Sequence, residues 1–447
     1  MNIKAVLSAL LLGTVFVSSA SGCDIIDVGS DNLLRPPKST GDEAEIEQLI
    51  AATAKDKYTL KYPKSGNHRS AITMYDLDGD DNEEAIAFYR QGDDVARIHM
   101  LVMYCDNGEW KLSSDIITDT TDVDCVDFAE IDGEGSIEIL VGFTTYSPNT
   151  NFLSCYTYSD GKTSEINAGQ TYSTFYCGDF TSDSKNEVMT LTLYSAENEA
   201  NATMLDYNKE NNTLYAKATS SMDPNVVKYK NIQFSDLGNN CKGIVVDGES
   251  ASTELSTQII YYNKEMSLLR NPLFREKTKN VSQRSCSVIS TDIDSDGIVE
   301  FPSAEKLPHS KNEAVETVAD KIIWNTLSTG NEAVTEKLNA IANYSFNYTI
   351  KMPDKWLGDK VTAIHNTDEN TTSVYEWKKS ELGEKLFDIR VFDVSEWEKG
   401  KNNDEYTLIY KDNKFAYTFK NTDTENQLAL TDDEIKTAFS ILTETAI

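Results

Sequence analysis

Histidine, basic charge and catalytic signatures are all scarce in this chain. Its 447 residues hold four histidines, His68, His99, His309 and His365, none in an H-E-x-x-H pair, which removes the zinc-helix hydrolases. No G-x-S-x-G elbow, phosphate-binding glycine loop or dinucleotide fingerprint is present, and the S-x-D-x-G-x-T-W box of some glycan hydrolases is missing too. Lysine and arginine number 41 against 73 acids, a net charge of −32. Nucleic acid and anionic lipid are poor partners for such a chain, because phosphate contacts need clustered bases. The seven cysteines follow no metal-ligand spacing. Six of them lie beyond residue 23 (Cys105, Cys125, Cys155, Cys177, Cys241 and Cys286), mostly inside apolar runs, as small buried hydrophobes do.

The one long apolar run is at the N-terminus. Lys4 supplies a positive start, Ala5 to Val17 an apolar stretch too short to span a bilayer, and Ala20-Ser21-Gly22-Cys23 a small-residue site ending in cysteine. This resembles a bacterial lipobox and implies residues 1–22 as a lipoprotein signal peptide, with Cys23 acylated. The polar segment 23–41, with Pro36-Pro37, reads as a tether. The expected location is extracytoplasmic, anchored to the bacterial cell membrane. A helical lead-in follows over 42–57.

What the chain has in abundance is acidic turns, and they recur. One reads Tyr75-Asp76-Leu77-Asp78-Gly79-Asp80-Asp81-Asn82-Glu83-Glu84, another Thr291-Asp292-Ile293-Asp294-Ser295-Asp296-Gly297-Ile298-Val299-Glu300. Aligned on this pattern, first positions fall at Asp76, Glu130, Asp179, Ser235 and Asp292, in steps of 54, 49, 56 and 57 residues. A second register agrees: Tyr104, Tyr158 and Tyr207 each lie 28 residues after a first position, and Tyr262 lies 27 after. Each tyrosine ends an apolar run before a turn such as Asn107-Gly108 or Asp160-Gly161, the pairs that favour hairpins. Valine, isoleucine, tyrosine and phenylalanine dominate the runs, whereas helical periodicity is nearly absent. A period near fifty built from four short strands predicts propeller blades. The fold class expected is mainly β: a propeller of about five four-stranded blades over 58–342, followed by a small α+β domain over 343–447.

Carboxylates at positions 1, 3, 5 and 9, with a backbone carbonyl at 7, can converge on a hard cation that takes six to eight oxygens at ~2.3–2.6 Å. The D-x-D-G-D-x-x-x-E loop between two strands resembles the calcium loop of FG-GAP or VCBS repeats, the blade type of integrin α-subunit propellers. The resemblance implies Ca2+ at Asp76, Asp78, Asp80, Asn82 and Glu84 in blade one, and at Asp292, Asp294, Asp296, Ile298 and Glu300 in blade five. Blade two offers Glu130, Asp132, Glu134 and Glu138. Blade three keeps Asp179, Asp183 and Glu187 but has Thr181 at position 3. Blade four, with Ser235, Leu237, Asn239 and Gly243, is expected to have lost the ion. An EF-hand fails, because position 6 after Asp76 is Asp81 and position 12 is Ala87 inside a strand.

Past residue 342 the rhythm changes. Asn343–Met352 reads as a long strand, further strands follow, and Thr431 caps a helix over Asp432–Leu442. The outline is similar to PsbP/Mog1-like modules. Trp356, Tyr375, Trp377, Phe387, Trp397, Tyr406 and Phe415 are expected in its core, with a ligand site as the alternative. The function expected is a lipid-anchored, calcium-binding, non-catalytic interaction module for a protein or glycan. The alternatives are a glycan-active hydrolase with axial carboxylates and a purely structural envelope protein.

Overall fold

The computed structural model describes residues 41–442, apart from 56, 93, 95, 146–149, 276–279, 311–313, 401–403 and 423–424. The expected signal peptide, Cys23 and nearly all of the expected tether lie outside the described residues. Two compact units divide at Thr53. The described element of the first is helix α1 (Asp42–Ala54), whose first-turn Asp42, Glu43 and Glu45 face the positive end of its dipole.

The second unit is mainly β. Blade one comprises β1 (Tyr58–Lys61), β2 (Ile72–Tyr75), β3 (Glu84–Gln91), β4 (Ile98–Asp106) and β5 (Glu109–Thr118). β1 and β2 pair with successive halves of β3, and the rest is an antiparallel meander. Blade two comprises β6 (Asp122–Ala129), β7 (Glu138–Thr144), β8 (Asn151–Ser159) and β9 (Lys162–Tyr172). Blade three has β10 (Thr174–Gly178), β11 (Glu187–Thr192), β12 (Asn201–Asn208) and β13 (Thr213–Ser221). A single parallel bridge between Asn167 and Thr213 joins these two into one eight-stranded sheet. Blade four has β14 (Val226–Asp236), β15 (Lys242–Ser250), β16 (Leu255–Asn263) and β17 (Leu268–Arg270).

Hydrophobicity explains why the meanders stack. The second and third strands are buried on both faces: six consecutive residues of β3, six of β4 and eight of β16 are inaccessible. Such strands read as unbroken apolar runs, whereas the fourth strand β5 has no buried residue. Cores form between neighbouring sheets. Ile86 and Phe88 meet Val141 and Phe143, Leu140 and Leu153 meet Val188 and Leu205, and Met189 and Met204 meet Ile244 and Ile260. Val245 and Ile259 in turn meet Phe301 and Leu327. Each fully buried side chain of this kind contributes about 1.5–3 kcal/mol. The hairpins have the expected turns, with positive φ at Asn107 (54°) and Gly108 (81°), and at Asp160 (51°) and Gly161 (72°).

Blade five departs from the expected strands. Ser285–Thr291 reads in the sequence as the first strand of blade five; in the structure it is not a strand, and within it only Thr291 bridges Glu300. The ordered strands are β18 (Phe301–Lys306), β19 (Asp320–Ser328), β20 (Ala333–Asn343) and β21 (Tyr348–Lys351). The long strand expected over Asn343–Met352 is instead a turn followed by β21, which pairs back on β20. The last sheet has β22 (Val361–Asn366), β23 (Thr371–Lys378), β24 (Glu381–Asp393), β25 (Thr407–Lys411) and β26 (Phe415–Asn421), with the short helix α2 (Val394–Trp397) after β24. The final helix α3 (Asp432–Ala438) is shorter than expected. It opens on a Thr431–Glu434 capping box and runs into β27 (Phe439–Ile441), which pairs with β21. Trp356, Phe387, Trp397 and Tyr406 are buried, whereas Tyr375, Trp377 and Phe415 are half-buried.

Candidate metal-binding loops

Each acidic loop joins the innermost element of a blade to the next strand, and each is closed by its own carboxylates. The position-1 acid accepts amide hydrogens from within the loop: Asp76 from Gly79 (2.8 Å) and Asp81 (3.1 Å), Asp179 from Asp183 (3.0 Å), Asp292 from Gly297 (2.9 Å). The acid at position 5 accepts from position 7 in blades one, three and five, as Asp80 does from Asn82 at 2.8 Å. These are the local turns that aspartate favours. Adjacent loops are also stitched together. Ile137 N–H donates to the Leu77 carbonyl at 2.8 Å, Asn186 N–H to the Glu130 carbonyl at 2.8 Å, and Val299 N–H to the Ser235 hydroxyl at 2.9 Å.

The position-9 glutamates are the most informative residues. Glu84, Glu138, Glu187 and Glu300 are all buried, at 3% exposure or less. In every case one carboxylate oxygen accepts the amide of position 2: Leu77 (3.0 Å), Ile131 (2.7 Å), Phe180 (2.9 Å) and Ile293 (3.0 Å). That bond pins the loop to the following strand and is independent of metal. What differs is the second oxygen. In blade two it accepts from the Ser136 hydroxyl at 3.3 Å; in blade three from Thr181 Oγ1 at 2.6 Å, so the threonine at position 3 replaces a ligand with a donor. In blade five it meets the ammonium of Lys337 at 2.7 Å. In blade one the Tyr158 hydroxyl lies against Glu84.

Among the described residues, two sets bring three carboxylates within 4.8 Å of one another: Asp76, Asp78 and Glu84, and Asp292, Asp294 and Glu300. The electrostatics of the two sets are opposite. Partial desolvation and the neighbouring Asp80 raise Asp78 above the usual carboxylate range, and burial pushes Glu84 up to about 7. No lysine or arginine among the described residues pairs with Asp76, Asp78, Asp80 or Glu84. In the fifth loop the Gly297 amide holds Asp292 below its ordinary value, and the Lys337 ammonium does the same for the neighbouring Asp296.

Blades two and three assemble no such set. Glu138 is likewise lifted to about 7 by burial and Glu187 is raised for the same reason, but Glu134 is paired with Lys209 and Asp179 with Lys242 at 3.6 Å. In blade four Gly243 stands where the other four blades have glutamate. A Cβ there would lie 2.4 Å from the Ile260 carbonyl oxygen, so the position admits no side chain. The lysine partners were not legible in the loop motif, since Lys337 stands 37 residues after Glu300, on another strand.

Carboxylates on the innermost strand of blade two are likewise consumed. Asp122 pairs with Lys61 and Lys64, each at 3.2 Å. Asp124 accepts from the Tyr172 hydroxyl at 2.8 Å, and Asp127 accepts from the Phe128 amide. All six cysteines among the described residues are free thiols.

No protein-family model matches the chain, and no curated protein matches it. Solved structures with some likeness include a protein from Lactobacillus plantarum, at 9% identity over 72% of this chain and 85% of that one, TM-score 0.29. Saccharomyces cerevisiae Sqt1 is 8% identical over 73% and 86% of the two chains, TM-score 0.32. The WD40 domain of Toxoplasma gondii coronin is 7% identical over 85% and 89%, TM-score 0.28.

Proposed function

We propose that the chain is a non-catalytic interaction module for a protein or glycan. Its propeller binds calcium at the first acidic loop, and its N-terminus holds it on the outer face of a bacterial membrane through acylated Cys23. The observation that carries the metal reading is the set Asp76, Asp78 and Glu84, three carboxylates close together with no lysine or arginine partner among the described residues. Asp80 and the Asn82 carbonyl would complete an all-oxygen donor set suited to a hard cation. Bound calcium would supply the positive charge that this loop lacks, fix the loop and stiffen the adjoining stitch to blade two.

The binding reading is favoured over the glycan hydrolase because Asp122, Asp124 and Asp127, on an innermost strand, are tied up by lysines, a tyrosine and a backbone amide. A hydrolase needs two carboxyl groups free to face one glycosidic bond.

Calorimetric titration of the purified full chain with calcium should give saturable binding at ~10⁻⁴–10⁻³ M, the range of extracellular modules, and Asp78→Ala should abolish it while Asn239→Ala leaves it intact. Equal heats from the wild type and Asp78→Ala would remove the first loop as a metal site. The anchor is tested separately: Cys23→Ser should move the chain from the membrane fraction to the soluble one, and unchanged fractionation would refute lipidation.

A further inference from the structure

The two three-carboxylate sets are near copies in sequence, yet among the described residues the fifth loop has a cation of its own and the first has none. Lys337 Nζ lies 3.0 Å from Asp294 Oδ2, 2.7 Å from Asp296 Oδ2 and 2.7 Å from Glu300 Oε1. An ammonium has three hydrogens to donate and no acceptor, so three carboxylates saturate it. It sits among the groups at positions 3, 5 and 9 that a calcium ion would need. We propose that Lys337 is a built-in cation that takes the place of metal in the fifth loop, and that it decides which of the two acidic sets the chain loads with calcium.

The backbone explains how the lysine gets there. β20 pairs with β19 in register except at one point, where Trp324 faces Leu338 and Asn325 faces Glu336. Lys337 is the extra residue of that bulge, and bulges redirect a side chain out of the ordinary alternation. The same irregularity recurs between the third and fourth strands of blades one and three. There the extra residues are Ser113, between the partners of Val102 and Met103, and Lys217, between the partners of Met204 and Leu205. Lys217 Nζ pairs with Asp206, on the third strand of the same blade, at 2.7 Å. Ser113 only exchanges a hydrogen bond with Thr163 at 2.9 Å. One position on the fourth strand thus carries a cation in blades three and five and a neutral hydroxyl in blade one, the blade whose loop has no internal counter-charge.

Calcium cannot share this space. It requires six to eight oxygens at ~2.3–2.6 Å, and a lysine ammonium at hydrogen-bond distance both blocks that shell and repels the ion. The inference rests on the calcium reading of the first loop, and the test separates the two. Calcium stoichiometry is measured by equilibrium dialysis on the full chain, its Lys337→Met variant and its Lys337→Arg variant. The expected values are about one ion for the wild type and for Lys337→Arg, and about two for Lys337→Met, the second lost again on adding Asp294→Ala. No ion in the wild type but one in Lys337→Met would overturn calcium at the first loop and uphold Lys337 as the substitute. Two ions in the wild type would overturn the role of Lys337, as would a Lys337→Met variant that binds no more than the wild type. Thermal melts in chelator guard against misfolding. Lys337→Met should melt lower than the wild type and recover on calcium addition, and a cooperative melt with no recovery also counts against the proposal.

Discussion

At the scale of single residues, the molecule shows two ways of holding charge away from water. In the acidic loops the position-9 glutamates spend one carboxylate oxygen on a backbone amide, and the other meets a hydroxyl in blades two and three and a lysine in blade five. The interior of blade four differs. Asp247 and Arg284 are both fully buried and 2.9 Å apart, and each makes further hydrogen bonds. Asp247 accepts from the Ser290 amide (2.7 Å) and the Thr257 hydroxyl (2.6 Å), while Arg284 donates to the carbonyls of Val288 (2.6 Å) and Ser282 (3.0 Å). This network holds the irregular segment before β18 in the place where a regular innermost strand would lie. Removing one member leaves an unpaired charge in a dry interior, so Arg284→Met should lower stability by about 3–5 kcal/mol, read as a fall in the midpoint of urea unfolding. A change below about 1 kcal/mol would mean that water reaches Asp247.

At the scale of elements, legibility followed the burial pattern. Blades one to four were readable because their central strands are sandwiched between two sheets, so their apolar runs are long, and because Asn-Gly and Asp-Gly dictate the turns. The near-constant offset of Tyr104, Tyr158, Tyr207 and Tyr262 from the first position of each loop works as a ruler because those tyrosines lie at the ends of equivalent third strands. Blade five was misread where a side-chain network replaces ladder pairing: Ser285–Thr291 looks like a strand in composition, but its hydrogen bonds go to Asp247 and Arg284, which no local pattern announces. The turn over 344–347 was hidden because apolar residues flank it on both sides. The loops themselves were legible as acid spacings, but not the partner of each second oxygen. Lys337 is distant in sequence and reaches the fifth loop through a bulge, and a bulge has no compositional mark. Gly243 could be seen as a missing acid, whereas the reason is steric and lies in the Ile260 carbonyl.

At the scale of the whole molecule, the net charge of −32 makes two effects of calcium separable. Any added salt screens the self-repulsion of so acidic a chain, whereas a site at the first loop responds to calcium alone. With the fifth loop closed by Lys337 and blades two to four lacking a three-carboxylate set, one site is expected. At ~1 mM calcium and a dissociation constant of ~0.1 mM, one site stabilises the folded state by about 1.4 kcal/mol. Domains of 150–250 residues shift by about 2–4 °C per kcal/mol, and larger cooperative units shift less, so the melting temperature should rise by roughly 2–4 °C on calcium addition. Sodium chloride at matched ionic strength should not reproduce that rise, and Asp78→Ala should remove it. Loading at both the first and fifth loops would instead give about 2.8 kcal/mol and twice the rise. A melt that moves equally with sodium and calcium would assign the whole effect to screening and leave the first loop without its ion.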